Sequence, residues 1–397
     1  MSDARGIRVG VVGAGRPARV DEVGSVRPAG ASWHLEWWIG ADDRWRLPTN
    51  EVAVRQTRVG DAPVVETAMR VPGGDAVARV YGVGGPGQPV VIEVENASPA
   101  AFVLALVVRD ADRVSATGPA VLVDRAYVLR TPRAPSRWAH TVGSPVQMPV
   151  TTGRAESGPF PAVRDRSGRI EAAFLHPVAH RTVLRASLTA SADAPDLDPR
   201  SLPDATAVVA GWHHTLDRAM RIEVPDAALV SRVDAARAEV LLAGQERAVG
   251  AATVAALEDW GFDAEAEAGW RFLPARTRRR AATRAPAGTW VDALAAPDAE
   301  FLLAVKRLLV DDRPDPTEPV AVLRGWREAW RGQSIAIREA PTAKGPVSIA
   351  LRWHGERAAL LWDAPPGTEL TAPTLDPDWS TSAPSGEALL DVRRGAD

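Results

Sequence analysis

The chain changes its hydrophobic period within residues 221–240, RIEVPDAALVSRVDAARAEV. Before this stretch, apolar residues mostly alternate along the chain, as they do in strands. After it, they recur every three or four positions, as they do in helices, and alternation returns from Val347 to Trp353. A long β region followed by helices and a short β tail predicts a multidomain β + α protein.

Short alternating runs occupy the residues before the change of period. Glycine, proline and acidic residues separate these runs at the spacing of stacked antiparallel strands. Val64–Val71 and Ala76–Val83 are examples, joined by a turn at Gly73–Asp75. The last run is Ala207–Trp212. The pattern predicts a large antiparallel β-sandwich domain over residues 1–220.

Residues 221–331 are predicted to form a short helical domain. Pro225 suits the start of its first helix, in which Leu229, Val233 and Val240 lie on one apolar stripe. Weaker periodic patterns predict further helices at Ala251–Trp260, Asp263–Leu273, Trp290–Ala295, Phe301–Leu309 and Val320–Trp330.

Residues 332–397 are predicted to form a β-hairpin layer and an irregular tail. The alternating stretch from Val347 to Trp353 is followed by a tight turn at Gly355-Glu356 and a second apolar run, Ala358–Trp362. The segment 364–385 is rich in Pro, Thr and Ser, which indicates an irregular wrap over the surface.

The composition is that of a folded protein without a basic excess. Of 397 residues, 46% are hydrophobic and 24% charged, and the formal net charge is −3, so no nucleic-acid partner is expected. The absence of cysteine excludes disulfides and cysteine-ligated metals. Lys306 and Lys344 are the only lysines among 47 basic residues, so the other 45 are arginines. This skew is typical of a GC-rich genome, and arginine abundance therefore carries little functional weight.

No segment predicts export or membrane insertion. Met1–Gly15 lacks a basic region ahead of an apolar core. The longest strongly apolar stretch, Ala101–Val108, is too short to span a bilayer. We therefore expect a cytoplasmic protein with no membrane partner.

Cofactor and metal motifs are weak. Val9–Gly15 imitates the glycine turn of a dinucleotide fold, but no convincing helix follows to receive a pyrophosphate. An edge strand and glycine turn are the better interpretation, and no cofactor is expected. His176 and His180 straddle a His-Pro turn, and His213-His214 has no obvious acidic third ligand nearby, so no metal site is expected.

One basic run is present, and an acidic run precedes it. The basic run extends from Arg276 to Arg284, and the acidic run from Glu258 to Glu267. Neighbouring helices of opposite charge more often pair with each other than bind nucleic acid.

Tryptophan suggests where a ligand binds. There are 14 Trp against six Phe and two Tyr, and aromatic faces stack on sugar rings. In Ser32–Ile39, Trp33, Leu35 and Trp37 share a face that is predicted to be core, whereas Glu36 and Trp38 lie on the opposite face. A charged loop with an aromatic end follows at residues 42–45. The candidate substrate-binding residues are Glu36, Trp38, Asp42, Asp43, Trp45 and, in the C-terminal hairpin, His354.

The order of β-sandwich, helices and β layer resembles the six-hairpin glycosidase superfamily, which includes glucoamylase-like enzymes. Two stretches are similar to those of actinobacterial members: residues 22–28 running on to 37–45, and residues 340–348 continuing through 352–356 to 360–362. The resemblance implies a partial α/α toroid and a carbohydrate-related function. A complete toroid of that superfamily has twelve helices, this chain has room for about six, and no residue matches the catalytic carboxylate motifs.

We therefore predict a glycosidase-like protein, degenerate as a catalyst, that binds a glycan or sugar in a tryptophan-lined groove between sandwich and helices. An active glycoside hydrolase is an alternative, so whether the protein is an enzyme stays open. Glu36, Asp42 and Asp43 are acidic candidates, but no spacing singles out a pair across a scissile bond. Glu328 and Glu356 are further acidic candidates, whereas Glu258 and Asp259 are adjacent on a predicted helix and so point in different directions.

A structural or assembly protein is the third class. Six helices cannot close a ring, so Trp326 and Trp330 are expected on an uncovered helix face. Either a homodimer through the helical region or the segment 364–385 would cover that face.

Overall fold

The computed structural model describes most of the chain. It covers residues 6–14, 17–165, 167, 169–190, 196–246, 249–277, 288–312 and 318–392. Two compact units are present, the first ending at Gly211 and the second beginning at Trp212. Strands account for 38% of the residues and helices for 23%, so β-structure dominates.

The strands of the first unit form two antiparallel sheets. In chain order they are β1 (Ile7–Val9), β2 (Ala18–Val20), β3 (Val26–Arg27), β4 (His34–Gly40), β5 (Trp45–Arg46), β6 (Arg55–Arg58), β7 (Val64–Val71), β8 (Gly74–Gly82), β9 (Val90–Asn96), β10 (Phe102–Ala111), β11 (Arg113–Thr117), β12 (Ala120–Val123), β13 (Tyr127–Arg130), β14 (Arg137–Val142), β15 (Val163–Arg164), β16 (Ile170–Val178) and β17 (Val183–Ala190). Sheet A has the order β1-β2-β3-β4-β10-β16-β14, with β5 paired to β4. Sheet B has the order β15-β11-β12-β13-β17-β9-β8-β7-β6.

The main core of the first unit lies between sheets A and B, because both contribute their alternating apolar residues to one buried cluster. From β4, Trp37 and Ile39 enter this core, and from sheet B Ile92 does. The other face of sheet A carries a smaller cluster that includes Trp38 and Val150. Val150 belongs to the short helix α1 (Gln147–Thr151), which helps to cover that face.

The N-terminal glycines allow close packing of the backbone. A Cβ atom added at Gly82 in β8 would lie 2.5 Å from the backbone of Gly10. Only residues without a side chain permit such an approach. Val9 is fully buried in the core of the first unit. This contact supports the interpretation of an edge strand and turn; Gly15, at the end of the motif, lies outside the described residues.

The chain divides into the two units within helix α2 (Ala205–Leu216), and the α-helices that follow it belong to the second unit. They are α3 (Ala227–Ala243), α4 (Ala251–Trp260), α5 (Asp263–Arg271), α6 (Trp290–Ala295) and α7 (Asp298–Leu309). Asp226 caps α3, since its side chain accepts a hydrogen bond from the Leu229 backbone N–H at 3.0 Å. The predictions of α3 to α7 from their apolar periods are confirmed.

Two further sheets complete the second unit. Its strands are β18 (Arg221–Glu223), β19 (Val310–Asp311), β20 (Val320–Val322), β21 (Ile335–Ala340), β22 (Val347–His354), β23 (Arg357–Asp363), β24 (Leu370–Ala372), β25 (Asp376–Thr381) and β26 (Ser385–Leu390). Sheet C has the order β18-β21-β22-β23-β26, and sheet D the order β19-β20-β24-β25. The predicted C-terminal hairpin is confirmed as β22 and β23.

The predicted fold class, a sandwich with a partial toroid and a hairpin layer, is wrong. Four sheets are present, and the helices of the described residues form no toroid. β18 precedes the helices α3 to α7 in the chain but pairs with β21 beyond them. The helices are therefore inserted between strands of one sheet. β18 has three residues and β19 has two, and such short strands show no alternating period. The sequence of this region therefore suggested helices alone.

Three element predictions are also wrong. Ala207–Trp212 is helical, because the Asp204 side chain accepts from the Ala207 N–H at 2.8 Å and starts α2. Residues 320–330 contain β20, a turn and a 3-10 helix at Glu328–Trp330 rather than one helix. The segment 364–385 contains β24 and β25. Short 3-10 helices also occur at Pro48–Asn50 and Pro199–Ser201.

Candidate functional site

Glu36 and Trp38 lie on the face of sheet A that is turned away from the main core. Trp38 has an exposed fraction of 0%, so neither face of its ring is open to solvent. Its Nε1 donates to Glu36 Oε2 at 2.8 Å. Trp38 is part of the smaller buried cluster, and Glu36 is buried as well; their role in substrate binding stays a prediction.

Arg109 links the carboxylate of Glu36 to a second carboxylate. β10 lies between β4 and β16, and the Arg109 guanidinium reaches Glu36 at 3.3 Å and Glu171 at 3.1 Å. Burial would raise the pKa of Glu36. The hydrogen bond from His34 and the charge of Arg109 outweigh burial, so that pKa is lowered and Glu36 is ionised at neutral pH.

The predicted loop residues after β4 are held by local ion pairs. Asp43 forms two hydrogen bonds with Arg46, at 2.7 and 2.6 Å, and these lower the pKa of Asp43 to about 2. Trp45 is half-buried, and its ring lies so close to Gly40 that a Cβ there would be 2.9 Å away. Asp42 is exposed. This arrangement is a stabilised turn rather than a cavity.

His354 lies in the second unit, exposed at the end of β22. The other predicted site residues belong to the first unit. Among the described residues, no group of three or more His, Asp or Glu side chains is arranged to hold a metal ion. His180 is exposed, whereas His176 is buried, and its Nδ1 atom has no hydrogen-bond partner within the described residues.

We expect His176 to make the first unit sensitive to acid. Its exposed fraction is 1%, and burial, with the charge of Arg133, lowers its pKa from 6.5 to about 4. As pH falls through 6.5 the unfolded chain binds a proton that the folded chain rejects, so stability is complete above 6.5 and is lost towards pH 4. The difference corresponds to about 3 kcal/mol in the free energy of unfolding.

Urea denaturation at pH 7 and pH 4 measures this effect. His176→Leu should lose about 3 kcal/mol less than the wild type between these pH values. His180→Leu removes an exposed histidine of the same segment and should behave like the wild type. Equal acid losses in all three proteins would show that His176 is not the group that titrates.

The second unit contains a cavity of about 730 Å³. Its wall comes from the ends of α4 and α7, from α5, from the segment before β18 and from the loop between β21 and β22. Eight lining side chains carry ionisable groups: Arg218, Glu258, Asp259, Asp263, Lys306, Arg307, Asp312 and Glu339. Two of these groups, Asp259 and Lys306, have shifted pKa values, and shifted groups in one cavity mark a candidate functional site.

The carboxylate side of the cavity is the last turn of α4. Glu258 and Asp259 occupy this turn, where the helix dipole disfavours negative charge. The Trp270 Nε1 donates to Glu258 Oε2 at 2.8 Å and fixes that carboxylate. Gly261 ends the helix in the left-handed region, with φ +87°, and packs beside Pro341. Sequence adjacency indicated that Glu258 and Asp259 point apart, yet both line this cavity.

Asp259 has a raised pKa. It keeps some exposure because it faces the cavity, but protein atoms surround it on most sides. Burial raises its pKa, and this effect outweighs the opposing charges of Lys306 and Arg307. Lys306 lies on the facing helix α7, where its Nζ donates to the Val310 carbonyl at 3.1 Å. The cavity thus brings together a carboxyl group and an amine.

The loop between β21 and β22 forms the rim of the cavity. Asp312 fastens it, since Oδ2 accepts from the Ala343 N–H at 2.6 Å. Thr342 and Gly345 exchange two backbone hydrogen bonds, of 3.2 and 3.0 Å, which make the turn rigid. Glu339 adopts a left-handed φ of +56° at a bulge, a conformation that costs a non-glycine residue about 1 kcal/mol or more. Five residues of the stretch quoted above for the family resemblance therefore line this cavity: Pro341, Thr342, Ala343, Gly345 and Pro346.

The sequence predicts that the charged runs pair with each other and that Trp326 and Trp330 lie on an uncovered helix face. Arg278 to Arg284 lie outside the described residues. Glu265 pairs with Arg218 at 2.9 Å, within the second unit.

Trp330 is 2% exposed and stacks edge-on against Trp290, so the prediction that it lies on an uncovered face is wrong. The homodimer stays a prediction. No helix in the described part of the chain has the length and apolar character that crossing a membrane requires.

The comparison with known proteins identifies no family for this chain. No family model matches this sequence, and no curated protein matches it. The resemblance to the six-hairpin glycosidase superfamily therefore stays a prediction.

Sequence reasoning missed Lys306. The signal that would have found it is the arginine skew, because a lysine is the exception in a chain with 45 arginines. Asp259 was considered as a carboxylate, but its partner lies 47 positions later, a separation at which sequence spacing carries no information. The substrate candidates were instead chosen around tryptophan, which here packs the core.

Proposed function

We propose that the protein binds a small polyhydroxylated molecule, with carbohydrate as the ligand class, in the cavity of its second unit. The observation that carries the proposal is the set of eight ionisable side chains around about 730 Å³. Ligand pockets typically enclose about 300–1,000 Å³ and are mostly lined by apolar groups. A charged lining favours a ligand that offers many hydroxyl groups.

The chemistry of the lining suits hydroxyl groups. Carboxyl groups such as that of Glu258 accept hydrogen bonds from hydroxyls, and guanidinium groups such as that of Arg307 donate to hydroxyl oxygens. The rigid turn of residues 341–346 presents backbone groups at the rim. The resemblance noted in the sequence supports the same ligand class, because one of the two stretches that carry it forms this rim.

The proposal contains no hydrolytic step. Glycoside hydrolysis requires two carboxyl groups on either side of the scissile bond, about 5–9.5 Å apart. Glu258 and Asp259 are consecutive residues in one helical turn, and Trp270 holds Glu258. This arrangement supports binding of a sugar rather than its hydrolysis.

Saturation-transfer NMR with monosaccharides, disaccharides and sugar acids tests the proposal. At least one sugar should bind, and Asp259→Ala should raise its Kd about 2- to 10-fold, since a hydrogen bond contributes about 0.5–1.5 kcal/mol. Glu387→Gln removes an exposed carboxylate on β26 of the same unit and should leave the Kd unchanged. A panel in which no sugar binds, or in which Asp259→Ala binds as well as the wild type, would contradict the proposal.

A further inference from the structure

One of the only two lysines of the chain lines the cavity. A genome bias that replaces lysine by arginine wherever either residue serves leaves lysine where arginine does not serve. Lys344 is exposed and donates to the Gly367 carbonyl at 2.7 Å. Lys306, in contrast, is 4% exposed and lies in the cavity wall. A buried lysine at such a position suggests that amine chemistry is required there.

The surroundings of Lys306 hold its amine between a carbonyl and carboxylates. Its Nζ donates to the Val310 carbonyl at 3.1 Å, just beyond the end of α7. An ammonium group has three donors, and this bond uses one of them. Asp259 and Asp312 lie close enough for their charges to act on Lys306, and the charge of Lys306 acts on Asp259 in turn. The amine is therefore anchored, and Lys306 is one of the residues that line the cavity.

Both groups of this pair shift towards their uncharged forms. Burial lowers the pKa of Lys306, and this effect outweighs the raising influence of Asp259 and Asp312. Burial likewise raises the pKa of Asp259. Burial thus favours the free-amine form of Lys306 and the acid form of Asp259 within one cavity, and carbonyl chemistry uses an amine and an acid together. Arginine cannot provide it, because the guanidinium group stays protonated in proteins.

We propose that Lys306 forms a reversible imine with the aldehyde group of an open-chain sugar bound in the cavity. The inference rests on the proposed carbohydrate binding and adds a covalent step to it. The Nζ lone pair attacks the carbonyl carbon, the C=O π bond breaks, and the carbonyl oxygen takes a proton, which gives a carbinolamine. The carbinolamine then loses its hydroxyl group and a nitrogen proton as water while the C=N bond forms. No oxidant or reductant is consumed.

Asp259 supplies the proton that this step requires. Departure of hydroxide is slow unless an acid protonates it, and a positioned acid contributes about 10²–10⁴-fold to such transfers. Asp259 lines the cavity, its charge interacts with Lys306, and burial raises its pKa. After loss of water, the proton removed from nitrogen can restore Asp259 to its starting state.

A purely structural role for Lys306 predicts different behaviour. Lysine in the last turn of a helix stabilises that end by binding its carbonyl groups, as Lys306 does with Val310. A lysine that serves only this purpose is shielded, and it reacts with aldehydes more slowly than the exposed Lys344. An imine-forming Lys306 reacts faster than Lys344 despite its burial. The order of reactivity of the two lysines thus separates the two roles.

Reductive trapping measures that order in the intact chain. The wild-type protein is incubated with glycolaldehyde, a two-carbon hydroxyaldehyde, at pH 7 and then reduced with cyanoborohydride, and peptide mass spectrometry locates the secondary amine. We expect adduct formation at Lys306 to be at least about tenfold faster than at Lys344, because burial lowers the pKa of Lys306 and a positioned acid accelerates such a proton transfer by about 10²–10⁴-fold. This comparison needs no substitution, so it does not depend on a variant that folds.

Three variants test whether the adduct depends on the amine of Lys306 and on Asp259. Lys306→Arg keeps a cation next to Val310 but should lose the adduct while keeping the wild-type melting temperature. Lys344→Arg should leave labelling of Lys306 unchanged. Asp259→Asn should slow the adduct at Lys306 at least about tenfold, since it removes the acid.

The outcomes separate this inference from the function on which it rests. Labelling of Lys344 that equals or exceeds labelling of Lys306 overturns the imine. Sugar binding by NMR without any adduct at Lys306 also overturns it and leaves the binding function intact. An adduct at Lys306 without non-covalent sugar binding supports the imine and contradicts the proposed carbohydrate binding.

Discussion

Replacing Arg109 with methionine is expected to lower the free energy of unfolding of the first unit by about 3–5 kcal/mol. The guanidinium group contacts Glu36 and Glu171, whose side chains are only 10% and 12% exposed. Methionine keeps much of the length of the side chain but removes its charge. Two nearly buried carboxylates then remain without their common counter-ion, and this is a larger loss than the deletion of an exposed ion pair.

Hydrogen exchange followed by mass spectrometry measures this loss, since peptides from β4 and β10 report directly on the sheet around Arg109. Arg44→Met is the matched control, because Arg44 pairs with Glu51 through a side chain that is 53% exposed. An exposed pair of this kind contributes at most about 1 kcal/mol. If Arg109→Met and Arg44→Met lost the same amount, the ion pairs of Arg109 would have no special weight in the stability of sheet A.

The pH dependence gives the same prediction an internal check. The lowered pKa of Glu36 stabilises the folded state above its unfolded value of 4.5, and this stabilisation is lost as pH falls through the lowered folded value. In Arg109→Met, protonation of Glu36 removes the uncompensated charge. The difference between wild type and Arg109→Met should therefore shrink as the pH falls below 4.5.

The elements predicted well from the sequence are those whose period extends over several turns or strand residues. Helix α4 begins and ends at the residues its period indicated, and β22 shows four consecutive in–out alternations. The errors concern short or ambiguous segments. β18 has three residues and obtains its place in sheet C from pairing with β21, more than a hundred positions later. No local pattern contains that information.

The candidate site was less predictable than the fold, for a physical reason. The properties that define this site, the closeness and the shifted pKa values of its side chains, arise from burial, and burial depends on tertiary packing. Asp259 and Lys306 have unremarkable neighbours in the sequence, and only the packing of α4 against α7 brings their charges within range of each other. Trp38, by contrast, was a candidate because aromatic rings stack on sugar rings, but residues of the segment 146–155 cover it.

Replacing Trp260 with alanine is expected to lower the free energy of unfolding of the second unit by about 3–5 kcal/mol. Trp260 is fully buried at the end of α4, and its Nε1 donates to the Leu302 carbonyl of α7 at 3.0 Å. Its own carbonyl accepts from the Met220 N–H at 3.0 Å. Alanine would leave a void between the two helices that carry Asp259 and Lys306. Both sugar binding and adduct formation at Lys306 should therefore fall with stability.

Two further variants assign this effect to its physical source, with stability followed by hydrogen exchange in peptides from α4 and α7. Trp260→Phe restores most of the ring volume but leaves the buried Leu302 carbonyl without its donor, which costs about 1–3 kcal/mol. Trp379→Ala is the control in the same unit: this half-buried ring meets Trp362 edge-on at 5.4 Å, and its loss should cost about 0.5–1.5 kcal/mol. Trp260→Ala must be clearly less stable than both. A Trp260→Ala protein that matches Trp379→Ala and still forms the Lys306 adduct would show that the indole does not set the spacing of the two helices.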